Sequence, residues 1–280
     1  MKRFWIVPFL LLALVACSDT SEDTTSTGPT NTEESVEENE AASNISEQQE
    51  DGTELALTAL ANLENNHEYK TVYFESYTHH PELDPYEIDI DMTFSESEQF
   101  MHKLYIDNFL FANYESFLVD TSTLYIKNEY TEEPLWMLEE GRYDYPNTLS
   151  SSVSEMLQSI VKLADYADLK DGGDGTSIVH VYMTSGDFTS IAQQIEDVRN
   201  ILMKVGVTEE IIEDTLDDDP DNITNIAVDL YINEQQQLTY YQLFYDFDNG
   251  EPSASAIIEQ SFEEADLVEK QDQLANLLAG

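Results

Sequence analysis

From Tyr86 to Phe94 the chain alternates without a break between two kinds of side chain. Tyr86, Ile88, Ile90, Met92 and Phe94 point one way, and Glu87, Asp89, Asp91 and Thr93 point the other. A period of two is that of a strand, and a strand with one apolar and one acidic face belongs to an antiparallel sheet covered on one side. The apolar row needs a cover, because leaving it in water costs roughly 25 cal/mol per Å². The same period recurs at Tyr69–Tyr77, Phe100–Ile106, Phe109–Tyr114, Phe117–Val119, Leu124–Lys127 and Leu135–Leu138. Short polar gaps separate these stretches, so they read as a meander of hairpins.

Two amphipathic helices follow. Leu149, Val153, Met156, Leu157, Ile160 and Ala164 repeat at helical spacing, as do Phe188, Ile191, Ile195, Val198 and Leu202, with Asp187 as N-cap. Each has a single apolar stripe and can lie on a sheet with its other face in water. A strand at Ser177–Thr184 separates them, and a brief third helix starts at Thr208 and stops before Pro220. Strands then return at Ile226–Ile232 and Leu238–Phe247, with an Asn249-Gly250 hairpin turn leading into Ser253–Phe262. Helices at Thr53–Asn65 and Val268–Leu278 bracket the whole. The order implies an α+β domain: one large curved antiparallel sheet, an unclosed half-barrel, wrapped over helices on one face.

The start of the chain has another character. Lys2 and Arg3 precede an apolar run from Phe4 to Val15, and Leu14-Val15-Ala16-Cys17 ends it. A basic start, about a dozen apolar residues and a small residue at the break describe an export signal, too short to span a membrane. Cys17 is the single cysteine, so no internal disulfide can form and the thiol is free to serve as an anchor. Ser18–Gly52 holds eleven acids, no Lys or Arg and no aromatic residue, and is expected to be a disordered tether. The expected organisation is a signal at 1–16, a tether at 17–52 and a folded domain at 53–280. A monomer on the extracytoplasmic face of the cell membrane is expected.

Acidic residues number 58 against 11 basic ones, a formal net charge of −47. Such a surface repels nucleic acid and anionic headgroups, which removes both as partners of the domain. Adaptation to a saline medium accounts for a lysine scarcity spread along the whole chain; calcium buffering is the competing explanation. The self-repulsion has a measurable consequence. The melting temperature is expected to climb between low salt and about 1 M NaCl, where the screening length falls to roughly 3 Å. A rise produced by millimolar calcium alone, with none from sodium, would favour specific calcium sites instead.

Signatures of catalysis are absent: no phosphate-binding glycine loop, nucleophile elbow, His-Glu-x-x-His pair or cysteine cluster occurs. No enzyme activity, cofactor or metal is expected. Asp168, Asp171 and Asp174, interleaved with glycines, suggest a calcium loop but lack its spacing and its bidentate Glu, so a solvated turn is the better reading. Asp217-Asp218-Asp219-Pro220-Asp221 reads the same way. His67, His79, His80, His102 and His180 are read as surface residues; His79-His80-Pro81 is the one weak metal candidate.

With these features together the chain resembles uncharacterised lipoproteins of Gram-positive bacteria built on the LolA/LppX-type fold. Three stretches carry the resemblance: Leu124–Lys127 running on to Leu135-Trp136-Met137; Ser177–Thr184 with the helix after Asp187; and Leu230–Asn233 with Leu238–Phe247. The chain departs from that pattern in its acidity and in lacking a short Pro-containing ending. The resemblance implies an unclosed barrel around helices with an apolar cavity, lined here by Tyr86, Ile88, Ile90, Met92 and Phe94, and lipid attachment at Cys17. The function it implies is binding of a hydrophobic, lipid-like small molecule. The alternative is an interaction lipoprotein of the envelope with a filled core and no ligand.

Overall fold

The computed structural model describes residues 52–64, 70–79, 86–95, 98–108, 112–120, 122–128, 135–141, 148–186, 188–205, 223–247, 254–264 and 267–279. The chain divides into two units, residues 1–40 and residues 41–280, and all described residues belong to the second. Cys17, the acidic tether up to Asp51, His67, His80, the expected N-cap Asp187, the helix expected at Thr208, the Asp217–Asp221 run and the Asn249-Gly250 turn lie outside the described residues, while Gly52, expected to end the tether, is already helical.

A helix, α1 (52–64), opens the described chain. Six strands follow: β1 (Lys70–His79), β2 (Tyr86–Ser95), β3 (Phe100–Asp107), β4 (Ala112–Asp120), β5 (Thr123–Asn128) and β6 (Trp136–Glu140). Then come α2 (Leu149–Leu163), β7 (Tyr166–Gly173), β8 (Thr176–Met183), α3 (Phe188–Lys204), β9 (Ile223–Ile232), β10 (Leu238–Phe247), β11 (Ala254–Glu264) and α4 (Leu267–Ala279). The strands form one antiparallel sheet in the order β6-β5-β4-β3-β2-β1-β11-β10-β9-β8-β7. Chain order and spatial order therefore differ at one place, where β11 returns to pair with β1 along Lys70↔Glu264 to His79↔Ser255. Both β6 and β7 are edges, so the sheet is unclosed and the fold is α+β, as the alternating pattern implies.

The registers fix the faces. Ile90 of β2 stands between Phe74 of β1 and Tyr105 of β3, and Met92 between Val72 and Lys103. These inward residues merge with Leu60 of α1, Leu157 of α2 and Val198 of α3 into one cluster of buried side chains. Ser154 of α2 donates to the Leu60 carbonyl oxygen at 2.7 Å, fastening α2 to α1 inside that cluster.

Three expectations need correction. Phe109–Tyr114 and Phe117–Val119 are not two strands: β4 runs unbroken through Glu115 and Ser116, because β3 and β5 pair with it on both sides. Tyr166–Gly173 is a strand, not a loop; its only inward apolar residues, Ala167 and Leu169, are too few to show a period. The helices also do not all lie on one face. In α4, Leu267 and Leu274 pack on Phe100 and Phe117, with Tyr125 and Trp136 beside them, all on the outward phase of β3–β6. Four adjacent strands carrying outward aromatic residues need a cover of their own.

Candidate functional site

The expected cavity-lining row sits at the centre of the inner face. Ile88, Ile90 and Met92 have no accessible surface and Phe94 keeps 3 %. Tyr86 begins the strand, and its side chain lies outside the described residues. A wall with no accessible surface is in contact with other protein atoms throughout, and the buried cluster it belongs to includes residues of α1, α2 and α3.

Polar residues interrupt that apolar wall in the inward phase. Lys103 of β3 is fully buried and its ammonium donates to three backbone carbonyls: Leu202 and Met203 in the last turn of α3, and Val205 just beyond, the latter two at 2.8 Å each. The last carbonyls of a helix have no partner within it and carry the negative end of its dipole, so a cation there completes the helix end. Burial pulls the Lys103 amine down to about 7. The three acceptors act in the opposite sense, since only the protonated form has three N–H bonds to give. Two strand residues farther on, Tyr105 donates to the buried Asp107 carboxylate at 2.8 Å.

A second polar pair lies across the sheet. Tyr241 of β10 and Gln260 of β11 are cross-strand partners, both without accessible surface. The Tyr241 hydroxyl donates to Gln260 Oε1 at 2.7 Å, and burial pushes that phenol well above its ordinary range. Gln260 Nε2, at the other end of the amide, has no partner among the described residues. Its neighbour across the sheet on the far side is Phe74, next in line to Ile90. An unfilled amide donor in an apolar interior costs about 1–3 kcal/mol.

Sequence reasoning passed over Lys103, Asp107, Tyr241 and Gln260. The signal was present: Met101, Lys103, Tyr105 and Asp107 occupy alternate positions, as do Ile258, Gln260 and Phe262, so a polar residue in the inward phase of an otherwise apolar row marks each.

The histidines also moved. His102 is buried on the outer face beside Phe117, ring centres 4.7 Å apart, and its Nε2 meets Glu115 Oε1 at 3.1 Å. That hydrogen bond, ahead of the charges of His102, Lys127 and Lys270, holds the Glu115 carboxyl below the usual carboxylate range. His180 is half-buried on β8, with Nδ1 2.6 Å from Asp229 of β9. The side chain of His79 lies outside the described residues. Asp168 and Asp171 sit on β7, and Asp174 lies in the tight turn to β8, where the Asp171 carboxylate accepts from the Gly173 N–H at 2.8 Å. Asp174, with φ of 51°, and Gly175, with φ of 77°, supply the left-handed turn geometry. Among the described residues no group of His, Cys, Asp or Glu side chains converges as a metal site, and no helix is long and apolar enough to cross a membrane.

No family model and no curated protein matches the chain. Among solved structures it is similar to a LolA superfamily protein from Nitrosomonas europaea, at 8% identity over 78% of this chain and 96% of that one, with a TM-score of 0.24. A DUF1329 family protein from Desulfovibrio piger shares 9% identity over 76% of this chain and 91% of its own, with a TM-score of 0.23. A beta-barrel-like protein of a domain of unknown function, DUF1849, from Brucella abortus shares 7% identity over 70% and 97%, with a TM-score of 0.19. Overlaps this loose assign no function.

Proposed function

We propose that this is a lipid-anchored extracytoplasmic protein that carries a hydrophobic, lipid-like ligand between its sheet and helices. The buried cluster that α1, α2 and α3 share with the sheet would then be its closed state. The observation that carries the reading is Gln260: a buried amide with an unfilled donor, set in an apolar wall beside Phe74 and Ile90. A core built for stability alone gains nothing from that group, whereas an ester or carboxyl oxygen of an amphiphile would fill it. The unclosed sheet supports the same reading, because its inner face is covered by helices that can lift without breaking a strand pair.

The test is titration of the full chain with a fluorescent fatty-acid probe. Saturable binding is expected, weakened about tenfold in Gln260→Leu, which keeps the volume and removes the donor, in line with a lost buried hydrogen bond. Binding unchanged in Gln260→Leu would remove the amide from the site, and no binding at all would remove the carrier.

A second reading has one observation in its favour. The absence of accessible surface at Ile88, Ile90 and Met92 is what a permanently filled core shows, with function left to the surface. Ligand binding separates the two.

Anchorage rests on the run that ends at Cys17. Two acyl chains at about 0.8 kcal/mol per buried methylene hold a protein stably where one is marginal. Cys17→Ser is expected to release the protein from the membrane fraction or leave it unprocessed. Membrane fractionation of a trimmed, unlipidated chain would contradict the anchor.

A further inference from the structure

The two edges of the sheet are built differently. β7 carries Asp168, Lys170 and Asp171, with Asp168 and Lys170 paired at 3.5 Å, and it has a bulge between Asp171 and Gly173. Charges and bulges keep other strands from adding to an edge. β6 has no bulge in its register with β5, and among the described residues no strand pairs with its other side. Three large apolar side chains on it or next to it stand in water: Leu135 is 69% exposed, Met137 51% and Leu138 56%.

The register shows which backbone groups of β6 face outward. The Gly141 N–H donates to the Ser122 carbonyl at 3.1 Å, one step beyond the pair Thr123↔Glu140. Hydrogen-bonded and non-hydrogen-bonded positions alternate along an antiparallel pair, so Glu139 and Met137 also bond to β5. Trp136, Leu138 and Glu140 therefore turn their backbone N–H and C=O groups to the open side.

That row is complementary to itself. Let a second copy run antiparallel with Leu138 on the two-fold axis. Leu138 then bonds to Leu138, and Trp136 to Glu140 on either side of it. Glu139 faces Met137 and Leu135 faces Gly141, so no two carboxylates stand opposite. On the outer face, Phe117, Tyr125 and Leu138 of one copy run on into Leu138, Tyr125 and Phe117 of the other. Lys127, 5.9 Å from the Trp136 ring centre, has the second copy's Glu140 on the far side of that ring. Other registers do worse. Moving the axis to Glu139 sets two carboxylates against each other, and moving it to Met137 runs Glu140 past the end of the strand.

We infer that β6 is a homodimer interface, through which two copies of the chain join their sheets edge to edge. This departs from the monomer expected of the sequence. The pairing is closed, because each copy spends its one open edge and the blunted β7 is left outside, so assembly stops at two. One strand of five residues buries less than the roughly 1,200–2,000 Å² of a stable interface, so the dimer is weak and reversible. The charge of −47 on each copy opposes it until salt screens the repulsion.

The experiment is sedimentation equilibrium of the full chain between about 0.05 M and about 1 M NaCl. A monomer–dimer equilibrium is expected, at least about tenfold tighter at the higher salt, with no larger species. At the higher salt, Leu138→Lys puts two ammonium groups on the axis and is expected to weaken the dimer at least about tenfold. Met137→Lys is the discriminating variant. It meets the second copy's Glu139 twice over by symmetry and is expected to tighten the dimer about threefold. Tyr166→Lys, the same kind of change on an exposed residue of β7, is expected to leave it within about twofold. Melting curves confirm that each variant folds. A monomer at every salt concentration, equal weakening by Met137→Lys and Leu138→Lys, or a loss in Tyr166→Lys as large as in Leu138→Lys would overturn the proposal.

Discussion

Replacing Lys103 with Met is expected to destabilise the protein by about 3 kcal/mol at neutral pH, read as a lower urea midpoint with an unchanged slope. Methionine fills the space, so the loss comes from the end of α3. The carbonyls of Leu202, Met203 and Val205 lose the one group that meets all three, at about 1–3 kcal/mol for each acceptor left bare in the interior. Relief from burying a charge offsets part of this. The pH dependence separates the two terms. Burial sets the folded amine at about 7, against 10.5 for an ordinary lysine. Between those values the unfolded chain holds a proton that the folded chain has released, so Lys103 makes stability rise with pH across that window. Below pH 7 both states are charged and the burial penalty is present in full. Lys103→Met is expected to lose this rise. A destabilisation under about 1 kcal/mol, or a pH profile identical to that of the parent chain, would show that Lys103 does not hold the end of α3.

The second large effect is expected at Ile90. Ile90→Ala removes a side chain with no accessible surface from the middle of the inner face, between Phe74 and Tyr105. Truncations of this kind cost about 2–5 kcal/mol, with the upper part of the range reached where the surroundings cannot collapse. Helices that lie on an open sheet can shift inward, so about 3 kcal/mol is expected by calorimetry or urea unfolding. A loss near 5 kcal/mol or more would mean a rigid core that does not yield, in favour of the filled-core reading.

Much of the fold was legible because its strands are half wet. Wherever one face meets solvent, as in Tyr86–Ser95 and Ile223–Ile232, fully buried apolar residues alternate with less buried ones and the period declares itself. Legibility failed where that contrast was lost. In β4, Glu115 and Ser116 sit side by side and read as a gap, yet Ser116 is buried opposite Lys103 and Glu115 meets His102. In β7 the acidic and glycine residues of the turn overwhelm two short apolar side chains. Placing α4 needed more than its own sequence, because its buried residues are few and Val268 and Leu278 remain exposed. The decisive signal was on its partners, the outward Phe100, Phe117, Tyr125 and Trp136.

The candidate site was legible in its apolar part only. The row Ile88, Ile90, Met92 and Phe94 follows from alternation, and the structure puts it at the centre of the inner face. The polar residues beneath the helices did not follow, since a lysine or glutamine in a strand is assigned to water unless its phase is counted from both neighbours. Cross-strand pairing of Tyr241 with Gln260 depends on β10 and β11 meeting in one register, which no local pattern states. His102 was misread for a like reason: the groups it packs against, Phe117 and Glu115, stand on another strand.

Native mass spectrometry and organic extraction of the full chain, purified from a membrane-containing host, test the carrier most directly. A bound lipid-like molecule is expected, and it is lost in Ile90→Trp, where the larger ring takes the room a ligand would occupy once the helices lift, while the chain still melts cooperatively. A parent chain that purifies without any such molecule, and stays empty when incubated with lipid extract, would contradict it.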